Sequence, residues 1–142
     1  MLDTLVASLR PKRVVHAHCD LPCGVYDPTQ ARIEAESVKA IQERYQDPEK
    51  FKKPSESVED YRARCLIIKE QRANMVKEHL WVLWTDYFKP EHLEKYPQLH
   101  DLFWKATKEA GEAKKSQDPA QGQRLLDAID EIAKIFWETK AA

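Results

Sequence analysis

Apolar residues recur at helical spacing along most of this chain. Val38, Ile41 and Tyr45 share one face of the segment 27–46, and Tyr61, Cys65, Ile68, Met75 and Val82 form a longer seam further on. Steps of three and four residues stack side chains on one side of an α-helix. The first predicted helix opens at Asp27-Pro28, an N-cap followed by a proline at the first helical position, with Gln30 where a capping box would place it. It runs to about residue 46 and gives way to a polar loop, "DPEKFKKPSES". A second helix starts near Ser57 with acids in its first turn and runs to about residue 88, ahead of Lys89-Pro90. "PEHLEKYP" is a connector with room for a short turn of helix; a third helix covers 98–115. Asp118-Pro119 repeats the Asp-Pro start, and the fourth helix runs to about residue 140. No strand alternation competes, so the predicted fold is all-α, an antiparallel four-helix bundle.

Charged residues interrupt two of these stripes. Glu34 lies one turn before Val38, and Arg72 falls on the second seam together with His79. A charge on an apolar stripe usually sits at its edge and reaches water. The other reading is a buried carboxylate and guanidinium held for a site, since buried charges occur in pairs. The pattern alone leaves both open.

Composition narrows the function classes. The 142 residues suffice for one core, and only three are glycine. Net charge is −1, which gives no broad electrostatic case for nucleic acid. No apolar run approaches the roughly 18–20 residues that span a bilayer, so neither nucleic acid nor membrane is an expected partner. Three cysteines make a disulfide scaffold unattractive, and Cys65, alone in a helical segment, reads as a small buried hydrophobe.

The remaining cysteines stand in "HCDLPCGVYDP", residues 18–28. With His18 internal, His18, Cys19 and Cys23 offer one imidazole and two thiolates, an incomplete zinc site or an oxidisable thiol pair. With the chain cut before His18, the freed α-amine becomes a ligand that deprotonates easily, at a reference pKa of about 7.7–8.0. The His18 amine, the Cys19 amide nitrogen and the Cys19 thiolate then close fused chelate rings, and Cys23 supplies the fourth donor. Two nitrogens and two sulfurs in a plane suit Ni(II) or Cu(II) better than zinc. The His18 imidazole is left to reach an axial position.

This hook resembles that of the nickel-containing superoxide dismutases. "RIEAESVKAIQE" (32–43), "IKEQR" (68–72), "DYFKP" (86–90), "EKYP" (94–97) and "KIFWETK" (134–140) look like the same family in the same order, and cover nearly all of the chain after residue 17. The resemblance implies a leader, 1–17, removed by a protease, and a domain, 18–142, carrying the hook at 18–26. It implies one nickel per subunit, bound by the His18 amine and imidazole, the Cys19 amide and thiolate, and the Cys23 thiolate. It implies disproportionation of superoxide by Ni(II)/Ni(III) cycling, and a homohexamer of bundles. Glu34 and Arg72 match residues that orient the axial imidazole, Tyr26 and Tyr87 match tyrosines near the open face of the metal, and Pro22 matches a hook proline with a cis Leu21-Pro22 bond. Lys89 is a candidate attractor for superoxide. His79, His92 and His100 are not carried over as ligands.

The segment 44–61 is longer than the family's usual first connection, which bears on subunit contacts more than on the metal. The stretch 1–17 is a poor secretory signal, because Asp3 comes early and Arg10, Lys12 and Arg13 follow a short apolar run. The expected location is cytoplasmic. Two rival classes share the hook: a metal-delivery protein, which would bind nickel without turnover, and a helical interaction module, which would keep its fold and partner without Cys19 and Cys23.

Overall fold

A computed structural model of the protein describes residues 24–141. His18, Cys19, Cys23, the Leu21-Pro22 bond and the leader lie outside the described residues. The helices are α1 (Thr29–Gln46), α2 (Pro48–Phe51), α3 (Val58–Val82), α4 (Pro90–Lys95), α5 (Leu99–Lys115) and α6 (Pro119–Ala141). The two Asp-Pro starts work alike. Asp27 Oδ1 accepts the Thr29 amide at 2.8 Å and Asp118 Oδ1 accepts the Ala120 amide at 2.9 Å, each satisfying an amide that the first turn leaves without a partner. No Gln30 bond back to Asp27 accompanies the first. Ser57 Oγ accepts the Asp60 amide at 3.0 Å and caps α3. The loop predicted at 47–57 holds one extra turn of helix, α2, started by Pro48.

The four long helices form a ring in which α1 packs on α3 and α6, and α5 packs on α3 and α6. Cross-helix pairs set the directions. Glu34 meets Arg72 while Tyr45 meets Arg62, so α1 and α3 run antiparallel. Arg32 meets Asp130, Lys39 meets Gln123 and Gln46 meets Gln117, so α1 and the chain through α6 do the same. This is the expected antiparallel four-helix bundle. One end gathers residues 24–28, the end of α3, α4 and the last turn of α6. The other gathers the 47–57 connection and the 116–118 turn, so the long first connection sits at the end away from Tyr26.

The core line of α3 differs from the predicted seam. Cys65, Lys69, Ala73, Val76, Leu80 and Leu83 are buried, whereas Ile68 is 37% exposed and Tyr61, Arg72, Met75, His79 and Val82 are half-buried. The seam named from sequence is the neighbouring strip. The physical reason is that a small alanine and a lysine occupy core positions, so the apolar count favours the wrong row. Cys65 is buried as expected, and burial pushes its thiol above the ordinary cysteine value.

Lys69 is 1% exposed. Its Nζ donates to the carbonyls of Ala113 (2.7 Å), Lys114 (2.9 Å) and Ser116 (2.6 Å), which the end of α5 leaves free. Burial pushes the amine below the ordinary lysine value. The three carbonyls and the negative end of the α5 dipole oppose that and hold the proton. Gln42 Nε2, on α1, donates to the same Ser116 carbonyl at 3.2 Å and to Gln121 Oε1 at 3.0 Å. Gly122 completes the junction: a Cβ there would lie 2.4 Å from Gln42 Oε1 and 2.9 Å from the Lys39 Cα, so α1 and α6 touch only because the side chain is absent. Lys69→Met keeps the aliphatic stem and removes all three donors. It should lower unfolding stability by about 3 kcal/mol, read as a fall in the urea midpoint.

Candidate metal centre

Two groups of residues stand at the end of the bundle where the described chain begins, or within two turns of it. The first is an ion pair. Glu34, on α1, is 8% exposed, and Arg72, on α3, places Nη1 2.9 Å from one carboxylate oxygen and 3.2 Å from the other. Met75 Sδ lies 3.9 Å from the same nitrogen. One guanidinium nitrogen spanning both oxygens fixes the carboxylate plane while the rest of the guanidinium stays partly open to solvent. The edge-of-stripe reading therefore holds for Arg72 only in part, and Glu34 is a buried, paired carboxylate.

The second is a recess of about 380 Å³ lined by Gly24, Tyr26, Asp86 and Tyr87, with Lys89, His92 and Lys140 at its side. Its back wall comes from a change in helix type. After Val82 the chain makes one π turn, Leu83–Tyr87, with the Phe88 amide bonding the Leu83 carbonyl at 3.1 Å. Such wide turns recur at functional sites because they rotate following side chains away from the α-helical register. Phe88 then leaves in extended conformation, and Lys89-Pro90 starts α4. The Tyr87 ring packs on Phe136 (4.4 Å between centroids), Phe88 (5.0 Å) and Tyr26 (5.7 Å), and stacks on His92 at 5.7 Å with 22° between planes. Its hydroxyl lies 2.7 Å from Thr139 Oγ1. Lys140 Nζ stands 5.3 Å from the Tyr87 ring centre, within cation–π range.

The structure thus brings Tyr26 to Tyr87 and Glu34 to Arg72, but Glu34 and Arg72 do not line the recess. Lys89 does, with its side chain exposed. His92 does too, where sequence reading gave it no role, and Lys140 joins it across the bundle, with Thr139 behind at the Tyr87 hydroxyl. "DYFKP" and "KIFWETK" mark both segments, yet their contact spans some fifty residues and has no local signal. His79 is half-buried on α3, and His100 packs on Trp84 away from the recess.

Among the described residues, no three His, Cys, Asp or Glu side chains are placed to hold a metal. His18, Cys19 and Cys23, the ligands expected from sequence, lie outside the described residues. The family model that matches residues 13–140 is that of nickel-containing superoxide dismutase. The chain belongs to this family. It is similar to the nickel superoxide dismutases of Streptomyces coelicolor (56% identical) and Streptomyces seoulensis (57%), each matched over 100% of both chains. A crystal structure of a nickel-containing superoxide dismutase, with nickel ligation corresponding to the oxidised state, superposes with a TM-score of 0.78. It is 58% identical, over 88% of this chain and 100% of that one.

Proposed function

We infer that the chain is a superoxide dismutase that converts superoxide to dioxygen and hydrogen peroxide with nickel, protecting its cell from oxidative stress. The family match carries this reading. Nickel, when bound, supplies a one-electron Ni(III)/Ni(II) couple against which one superoxide is oxidised and a second reduced. The ligands are the His18 amine and imidazole, the Cys19 amide and thiolate, and the Cys23 thiolate, one nickel per subunit. Glu34 orients the His18 imidazole and Arg72 holds Glu34; the bifurcated contact between the two supports this. Tyr26 and Tyr87 wall the approach and keep peroxide from the thiolates, which it would oxidise. Lys89, with Lys140 beside it, draws an anion toward the recess.

Glu34→Gln and Arg72→Ala should each lower turnover by about tenfold to a hundredfold with nickel content unchanged, as for other residues that orient a metal ligand. Metal analysis beside superoxide decay checks both, and loss of nickel from both variants would put them among the ligands.

The segment 1–17 is a leader removed by a protease in the cytoplasm. Donor chemistry supports a cut before His18: an internal His18 has an acylated nitrogen whose lone pair is delocalised into the carbonyl. As for location, no helix among the described residues is long and apolar enough to cross a membrane. Protein starting at His18 should take up about one nickel per chain and dismutate superoxide. Forms starting at Met1 or Ala17 should do neither well, even with excess nickel under reducing conditions. Equal activity from all three would remove the free amine from the ligand set.

The assembly is a homohexamer. Large apolar side chains left open on the single chain support an oligomer, with Ile33 54% and Ile67 58% exposed on α1 and α3. Sedimentation of processed, nickel-loaded protein should give six chains, and a stable monomer would overturn this.

A further inference from the structure

Tyr87 is held at both ends. His92 stacks on its ring, and the His92 ring is itself fixed because Nδ1 accepts the Lys89 amide at 3.2 Å, which leaves the imidazole proton on Nε2. At the other end the Tyr87 hydroxyl meets Thr139 Oγ1 at 2.7 Å, and that same Oγ1 lies 2.7 Å from the Phe136 carbonyl. A threonine hydroxyl has one hydrogen. The carbonyl only accepts, so at 2.7 Å Thr139 must donate to it, or two lone pairs would face each other within contact distance. The hydrogen between Tyr87 and Thr139 then belongs to Tyr87.

We propose that Thr139 is a positioning residue for Tyr87: its Oγ1 accepts the hydrogen bond that the phenol donates, so Tyr87 offers the recess an oxygen that accepts and no hydrogen that donates. An anion in the recess is met by the other residues of its lining, the ammoniums of Lys89 and Lys140 among them. Tyr87 acts as wall and acceptor and is not a proton source while this clamp is closed. The inference rests on the recess being the substrate's approach, as read above.

The test uses protein starting at His18, labelled with ¹³C at the tyrosine ring carbon bearing oxygen, with the Tyr87 signal assigned by Tyr87→Phe. In the wild type the Tyr87 hydroxyl should exchange slowly with solvent and show a proton contact to Thr139. Thr139→Val, nearly isosteric, should speed that exchange about tenfold, the loss of one hydrogen bond, and Thr139→Ser should restore it. Azide, a small anion, is then titrated into each form, metal-free and nickel-loaded. The released hydroxyl of Thr139→Val should tighten azide binding several-fold, whereas Tyr87→Phe, which removes only an acceptor from the recess, should not weaken it. Weaker azide binding in Tyr87→Phe with no change in Thr139→Val would mean the phenol already donates into the recess, and would overturn the proposal. Fast exchange in the wild type would do so even if Thr139→Val failed to fold. Hydroxyl exchange in metal-free protein reads the clamp whether or not nickel turnover is found, while superoxide decay of the nickel-loaded wild type judges the enzymatic reading separately.

Discussion

The bundle is registered by one buried ammonium. Lys69 ties α3 to three carbonyls at the end of α5, and the Ser116 carbonyl it shares with Gln42 brings in α1 and, through Gln121, α6. Apolar packing alone lets antiparallel helices slide and rotate at modest cost, because one aliphatic row resembles the next. An ammonium with three short bonds does not slide, since each lost bond leaves a buried polar group without a partner. Arg72 follows Lys69 by less than one turn. Fixing Lys69 against α5 therefore fixes the face on which Arg72 meets Glu34.

The opposite end of the bundle has a different logic. There the chain departs from regular α-helix, through a π turn, an extended residue and a six-residue helix. These irregular segments are held by aromatic packing: Phe88 against Phe103 and Phe136, and Tyr87 against Phe136, Phe88 and His92. Ring contacts of this kind fix orientation as well as burying area. The recess therefore has a rigid wall made from three separate stretches of chain, and its cations, Lys89 and Lys140, are carried at the ends of elements, where long side chains reach solvent and an incoming anion.

The long first connection fits this division. Its extra turn, α2, is tied down locally: Arg44 and Lys50 lie over the Phe51 ring, Arg62 donates to the Tyr45 carbonyl and Arg64 pairs with Glu56. It lies at the end holding the 116–118 turn, away from the recess.

Much of the molecule follows from local chemistry alone. Asp27-Pro28, Ser57 and Asp118-Pro119 start helices because their oxygens satisfy amides that any helix leaves open, whatever surrounds them. His18, Cys19 and Cys23 put an imidazole and two thiols within six residues, which is what made a metal hook legible from the sequence. Glu34 and Arg72 stood out because charge on an apolar stripe needs a partner. What was not legible depends on which side of a helix faces inward and on what arrives from distant sequence. Nothing in the local sequence marks Lys69, because the three carbonyls around its ammonium come from some forty-five residues away, and its burial moves the core of α3 by one row. Tyr87 meets His92, Thr139 and Lys140 only because the π turn and the antiparallel return of α6 bring them to one place. Local propensity and donor type are properties of neighbouring residues; the direction of one hydroxyl proton is a property of the packed fold.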